Sequence, residues 1–549
     1  MNNGNTVFTT ILLVCFGFLP GAKAVVPAPD GGYPGFNTAE GQNALLNLTS
    51  GTYNTAVGSF SLGSNADGSY NTAIGAAALL FNIGDQSTGD GVQNIAVGAA
   101  ALLFNTTGSA NTANGVSALY SNTSGDFNTA TGHSALFSKT TGATNTAVGT
   151  SALFDNTTGE NNTATGAAAL RNNIEGSSNT ADGAFALYHN HADSNTAVGA
   201  SALYSNTIGN DNTAVGSGAL FLNTVGYQNT GIGSGALFFN TQAGVRNTAT
   251  GAQALNHNTT GHDNTATGTE ALFSNTTGRT NTANGYQALY FNSEGIDNTA
   301  DGYHALSSNT TGNVNTAVGV IALALNTIGE GNTAIGVAAL NQNITGGGNI
   351  AIGYSAGFNI TGSGNICIGA VGVPDVDDTT WIDNVYDSVA TARQVYVDLG
   401  GKIGTLSSSR RYKEEIQLMS NASEVLFALK PVTFRYRKQI DPTQALSFGL
   451  IAEEVAEINS ALITRDKTGT PATVRYEAIN AMLLNEFLKE HRKGVEQDCK
   501  IQEQETTIAV LRSEIRNLAA RVSDQVSELR KVSAWIDRSE AKAQFAQNQ

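Results

Sequence analysis

Between Asn37 and Ala370 one polar–apolar phrase recurs, Asn-Thr-Ala-Val-Gly-x-x-Ala-Leu-x-x-Asn-Thr-Thr-Gly-x-x, with a step of 17 residues. Its first Asn falls at Asn37, Asn54, Asn71, Asn94, Asn111, Asn128, Asn145, Asn162, Asn179, Asn195, Asn212, Asn229, Asn247, Asn264, Asn281, Asn298, Asn315, Asn332, Asn349 and Asn365; the widest step, Asn71 to Asn94, is 23. Self-similarity at such a period means a solenoid or another stacked array. Inside each copy the apolar positions form two short runs, Thr-Ala-Val and Ala-Leu, separated by turn chemistry such as Asn105-Thr106-Thr107-Gly108. The pattern predicts two short extended runs per copy and no helix, because Gly, Asn and Thr are poor helix formers. Gly58, Gly75 and Gly98 close the first run, where the backbone is expected at positive φ. Strands stacked at about 4.8 Å per coil give a rod on the order of 95 Å long.

The apolar content of each coil is thin, as in Ala214-Val215 with Ala219-Leu220-Phe221. One chain wound on it buries a narrow core, so three chains sharing an axis are expected, with small Ala side chains at the close approach. The Thr column (Thr38, Thr55, Thr72, Thr112, Thr129, Thr146) is expected to turn inward and bond to the turns, the alternative being an outward hydroxyl ladder for ice or a glycan surface. Asn-x-Thr/Ser triplets are read as products of the turn. Cys367 takes the usual Ala position, which predicts a buried thiol.

After Gly369 the period breaks at Pro374-Asp375-Val376-Asp377-Asp378, and Gln394 to Asp398 alternates like a strand before the turn Leu399-Gly400-Gly401-Lys402. Beyond it the pattern is α+β: a short helix from Ser420-Asn421-Ala422 to Leu429, a strand Pro431 to Tyr436, a helix around Glu453 to Glu457, and a hairpin from Ala461 to Tyr476. From Glu477 one helix runs nearly to the end. Ile501, Ile508, Ile515, Val522, Leu529 and Ile536 repeat every seven residues, with Leu511, Leu518 and Val532 on the companion position and Gln525 interrupting it. These heptads predict a coiled coil.

The formal charge of -16 argues against nucleic acid, which needs Lys and Arg against its phosphates. Between Val25 and Ala370 the basic residues are Lys139, Arg171, Arg246 and Arg279. The repeat-region histidines (His133, His189, His191, His257, His262, His304) share no repeat position and no calcium-binding glycine motif appears, so neither a metal nor a cofactor is expected. Thr9 to Leu19 is apolar but too short to span a bilayer, and Ala22-Lys23-Ala24 has the form of a cleavage site; an export signal and a secreted or cell-surface location are expected. No later stretch is apolar enough for a membrane helix.

The repeats resemble the head of trimeric autotransporter adhesins, whose coils also alternate short apolar phrases with Gly turns; the usual head repeat there is shorter, and the closing residues here carry no membrane-barrel pattern. The second half resembles the intramolecular chaperone, or peptidase S74, domain of bacteriophage tail spikes. That resemblance rests on Ser407 to Ile416, Leu429 to Tyr436, Gly449 to Val455 and Val474-Arg475-Tyr476. It implies a domain that trimerises, templates the fibre ahead of it and is released by self-cleavage. It further implies Ser408 as nucleophile, five residues before Lys413 as base; many members have Asp after that Ser, where this chain has Ser409. A Ser hydroxyl needs a base, and a neutral Lys amine serves if burial or nearby charge, here Arg410 and Arg411, keeps it neutral. Residues five apart on one helix point about 140° apart, so Ser407-Ser408-Ser409 must form a bent or extended lead-in.

The expected organisation is a signal peptide (1–24), a linker (25–36), 17-residue β repeats (37–370), a neck (371–404), an α+β chaperone domain (405–476) and a helix ending in a trimeric coiled coil (477–549). The expected function is an exported homotrimeric fibre that cuts itself once near Ser408, with a surface glycan or host molecule as possible ligand. The alternatives are a non-cleaving fibre and an ice- or glycan-binding solenoid.

Overall fold

The computed structural model describes residues 33–384, 395–397, 403–404, 407–466 and 468–546. The expected signal segment, most of the linker and the turn Leu399-Gly400-Gly401-Lys402 lie outside the described residues. The chain divides into two units, 1–388 and 389–549.

The first unit is a parallel β-solenoid. Its single sheet has 21 strands, from β1 (Thr38–Glu40) to β21 (Thr380–Ile382). Each strand pairs in register with the next copy: Thr213 faces Thr230, Ala214 faces Gly231 and Val215 faces Ile232. The Thr213 N–H donates to Asn229 O on the following rung at 2.8 Å, and the Gly216 N–H donates to Val198 O on the preceding rung at 2.7 Å. The 23-residue step keeps this register, Thr72 facing Ile95, because the surplus is thrown out as a side loop closed by Asp85 and Asp90.

Each coil has one three-residue strand rather than two extended runs. The Ala-Leu run is a turn, with Leu220 at φ 54° and Leu203 at φ 52°. Left-handed backbone costs a Leu on the order of 1–2 kcal/mol. Full burial of that side chain against the strand Ala offsets it: Ala214, Ala219 and Leu220 have no exposed surface. The strand Thr and Val face outward, opposite to the inward Thr expected, because only the middle residue of a three-residue strand can point into so narrow a core. The bonded threonines are those of the turn, such as Thr207, whose hydroxyl donates to Thr224 O at 2.8 Å.

Two columns of buried Asn replace the missing second strand. In the first, the Asn212 N–H donates to Asn195 Oδ1 at 3.0 Å while Asn212 Nδ2 donates to Gly226 O at 2.8 Å. In the second, Asn223 Nδ2 donates to Asn206 Oδ1 and to the same Gly226 O, both at 2.9 Å. Carbonyls in a buried turn must be satisfied, and the side-chain amides do it. Outside the core, an aromatic file stacks along the rungs, Tyr204 on Phe221 and Phe221 on Phe238 at 5.0 Å. Arg171 takes one place in this file, its guanidinium 5.0 Å from the Phe154 ring centre. Cys367 is buried in the Ala column facing Ala351, and burial pushes its thiol pKa up.

In the second unit, β22 (Tyr396–Val397) and β23 (Ile403–Gly404) pair antiparallel. The expected capped helix is a 3-10 helix, Ser420–Ala428, entered at Met419 without a side-chain cap. There follow β24 (Val432–Phe434), β25 (Ser447–Gly449), α1 (Ala452–Ile458), β26 (Ile463–Arg465), β27 (Pro471–Val474) and α2 (Tyr476–Ala546). The core is small: Val455, Leu462, Ile463, Val474 and Ile479, flanked by Val425, Leu426, Leu429, Leu450 and Met482. Among the described residues no helix is long and apolar enough to cross a membrane.

Candidate functional site

Three of the four phrases singled out in the C-terminal half meet in the small core. β24 and β25 pair Val432 with Gly449, joining the second phrase to the third. The fourth is joined to them by Tyr476, whose hydroxyl accepts the Leu450 N–H at 2.9 Å. Gly449 makes room for that hydroxyl: a Cβ there would stand 2.8 Å from it.

The first phrase stands apart and is exposed. Ser407 and Ser408 lead into a single 3-10 turn, Arg410–Tyr412, with Ser409 at φ −66°, ψ 136° as its cap. Ser409 Oγ accepts the Arg411 N–H at 3.4 Å and Arg411 Nε–H at 3.3 Å, and the Ser409 N–H donates to Ser407 Oγ at 3.2 Å. The Lys413 N–H closes the turn on Arg410 O at 3.2 Å. Ser408 therefore lies in the irregular lead-in before the extended Ser409, and Lys413 follows a tight turn. Both are exposed, and among the described residues no hydrogen bond joins them. The Arg411 side chain is taken up by Ser409 and by the Tyr412 ring, whose centre lies 5.5 Å from the guanidinium; Arg410 is exposed. Ser409 thus caps the turn and holds Arg411.

A polar knot fastens the 3-10 helix to α2, and the sequence reading did not find it. Ser423, fully buried, donates from Oγ to Glu486 Oε1 and accepts from Asn485 Nδ2 at 2.6 Å. Lys489 Nζ reaches Glu486 Oε1 at 2.8 Å and Glu424 Oε1 at 3.6 Å. The Lys489 N–H, then the Ser423 hydroxyl, hold the Glu486 carboxyl below its ordinary value, and Glu486 raises Lys489 in turn. The knot is thus an ionised clamp, with Ser423 spent as a donor. The Glu486–Lys489 spacing on one helix face was the signal for it.

Beyond the knot α2 is bare. Ile501, Ile508, Leu511, Ile515, Leu518, Val522, Leu529, Val532 and Ile536 are all exposed, Ile515 at 64% and Leu529 at 67%. Around the small core, Leu418, Phe427, Phe448 and Phe487 are also largely exposed. A groove of about 1380 Å³ between the 3-10 helix and α2 is lined by Leu418, Phe427, Leu483 and Phe487 together with the clamp residues.

Residues 408–464 match the family model described as the chaperone of endosialidase, peptidase S74; the matched segment opens at Ser408. Comparison with curated proteins and with solved structures returned no match. The C-terminal half thus carries a segment similar to a chaperone that acts in trimerisation, behind a β-solenoid of rungs about 17 residues apart.

Proposed function

We propose that this chain is an exported, homotrimeric, adhesin-like fibre whose C-terminal segment assembles three copies and is then released by one cut beside Ser408. The observation that carries the reading is the apolar heptad file of α2, solvent-exposed along a helix of 71 residues. A lone helix about 107 Å long has no partner for that file, and apolar surface of this extent marks an association site. A coiled coil satisfies it, and three strands match the trimerising role of the family to which residues 408–464 are similar.

In this reading Ser408 Oγ attacks a neighbouring backbone carbonyl as Lys413 Nζ takes the hydroxyl proton, the peptide bond beside Ser408 breaks as that proton passes to the leaving amine, and water hydrolyses the resulting ester to complete the cut. An amine serves as a base only when neutral, which burial favours. The exposure of both residues in the single chain supports a cut that waits for neighbouring copies to cover them. The test is expression of wild type beside Ser408→Ala and Lys413→Ala, read on a denaturing gel. Wild type is expected as a rod fragment and a tail fragment, and both variants as full-length chain. Equal, uncut products in all three would remove the cleavage step.

A second reading concerns what the rod meets. The strand threonines lie on the outer face of successive rungs; among the described residues, the half-buried Thr196, Thr213 and Thr230 make no side-chain hydrogen bond. Such a file of hydroxyls suits a repeating solid surface, ice or a crystalline glycan. Substituting several of these threonines by lysine is expected to abolish binding of the rod to such a surface while leaving its assembly intact.

A further inference from the structure

One rung of the second Asn column is not Asn. Lys139 stands where Asn122 precedes it and Asn156 follows it by 17 residues each, and its side chain has no exposed surface. A normal rung donates Nδ2 to the Oδ1 of the rung before and offers its own Oδ1 to the rung after, as Asn223 does between Asn206 and Asn240. Lys139 breaks both relations. Asn122 Oδ1 is left buried without a partner, and Asn156 Nδ2 keeps Gly159 O, at 3.1 Å, as its acceptor. Lys139 Nζ has moved past its own rung and donates to that same Gly159 O at 2.7 Å. The amine and the Asn156 amide nitrogen therefore crowd one acceptor in a closed core. The position is tight: a Cβ on Gly142 would fall 1.8 Å from Nζ.

We propose that Lys139 and Asn156 form an isopeptide bond, a covalent staple between two successive rungs of the solenoid. The nucleophile is the neutral amine, and burial holds Lys139 down to about 7 from 10.5, so much of it is neutral near pH 7. The electrophile is the Asn156 side-chain carbon. Its Oδ1 already accepts the Asn173 Nδ2–H at 3.1 Å, which polarises the carbonyl and steadies negative charge on that oxygen during attack. The new Nζ–Cγ bond forms as the Cγ–Nδ2 bond breaks; Nδ2 leaves as ammonia, carrying the proton that Nζ gives up. No oxidant or added reagent is needed. Glu160, beside Gly159 in the chain, acts on the amine in the opposite sense, and burial outweighs it. Elsewhere the coils are tied by hydrogen bonds, so a covalent tie at this rung gives the rod one seam that cannot be pulled apart.

The test uses the full chain, unfolded in denaturant and digested with trypsin before mass spectrometry. The basic residues flanking Lys139 are Lys23 and Arg171, so an unlinked Lys139 releases a peptide running from Thr140 to Arg171. With the staple, that peptide is absent, and a fragment reading through Lys139 to Arg171 is lighter by one ammonia, about 17 Da. Asn156→Ser is expected to restore cleavage after Lys139 and the full mass, and Lys139→Arg to abolish the mass loss. Recovery of the wild-type Thr140–Arg171 peptide at full mass would overturn the proposal. So would persistence of the mass loss in Asn156→Ser. Neither outcome touches the cleavage at Ser408, which is read on intact fragments.

Discussion

The double substitution Ile508→Ala with Ile515→Ala tests whether α2 is a shared seam. In the single chain these side chains are 47% and 64% exposed, so about half of their surface is available for burial by partners. Full burial of an Ile is worth about 1.5–3 kcal/mol, and an Ile-to-Ala truncation in a formed core costs about 2–5 kcal/mol because a cavity remains. With half the burial arising at the seam, about 2 kcal/mol per site is reasonable; two sites in three chains then remove about 12 kcal/mol from each trimer. At about 1.4 kcal/mol per tenfold, the association constant falls by eight to nine decades. Three chains meet in one equilibrium, so the midpoint concentration varies as the square root of that constant and moves up by about four decades. Sedimentation equilibrium of the full chain from nanomolar to tens of micromolar reads this directly, with cleavage blocked by Ser408→Ala. Wild-type sequence is expected as trimer through the range and the double variant as monomer over most of it. A parent that sediments as a folded single chain throughout, or a double variant with an unmoved midpoint, refutes the reasoning.

Other consequences are local to the rod. Asn223→Ala removes two buried amide bonds and the acceptor of Asn240 Nδ2, leaving Asn206 Oδ1 unpaired; the cost is about 2–4 kcal/mol. In a solenoid it is expected as faster amide exchange in rungs 206–240 with distant rungs unchanged. Gly216→Ala places a Cβ 2.7 Å from the Gly233 carbonyl carbon and oxygen at φ +130°, which no side chain rotation relieves; loss of soluble, protease-resistant rod is expected, while Ser217→Ala at the exposed neighbour is silent. For pH, Asp263 is held well below the ordinary carboxylate value by Arg246, then by His262. A depressed folded pKa contributes stability above about pH 3.9 that is lost as the pH falls through the folded value. Thermal melts of Asp263→Asn and wild type should therefore differ slightly at neutral pH, the pair being exposed, and converge in strong acid.

Much of this architecture can be read from the chain. The 17-residue step carries the stacking direction, since a strand repeated that often pairs with its own next copy, Thr on Thr and Ala on Ala. Cys367 was legible as a buried thiol because, within the repeats, its position is otherwise Ala, or Gly at Gly231. The heptads of α2 were legible as a stripe, and the structure leaves that stripe uncovered. The second extended run was not legible as a turn. Nothing in Leu220 announces a left-handed backbone, and its propensity argues against one; the conformation follows from closing a coil around two Ala and one Leu. The Asn of each Asn-Thr-Thr-Gly phrase was read as a turn residue, which is half its role, and the Asn that opens each copy only as the mark of the period. Whether an Asn points at solvent or carries a buried carbonyl depends on which backbone groups the fold orphans, and one coil in isolation does not show that. The site phrase is the reverse case: the bend from Ser407 to Lys413 follows from capping by Ser409, while among the described residues nothing covers Ser408.

In the proposed trimer, the regularity of the rod is what makes a separate aligning tail useful. Neighbouring rungs are near copies, so two rods displaced by one coil lose the contacts of a single end rung and keep the rest. Against roughly twenty rungs that penalty is small, and slipped pairings compete with the correct one. The features that differ from rung to rung, such as the side loop at Asp85–Asp90, Lys139 in the Asn column, Arg171 in the aromatic file, and Gly231 and Cys367 in the Ala column, are few against so many copies. A heptad seam is a poor register device when uniform, but Gln525 breaks the companion row between Leu518 and Val532, as Gln504 does ahead of Leu511. A polar layer there is buried against its equivalents only in the aligned trimer, and a one-heptad slip faces it with aliphatic side chains at a desolvation cost. Replacing Gln525 by Leu is therefore expected to strengthen the tail's association while lowering the yield of correctly aligned rods, measured as the fraction of protease-resistant full-length rod after refolding. If Gln525→Leu raises both together, register is set by the rungs themselves and the tail serves only to gather the chains.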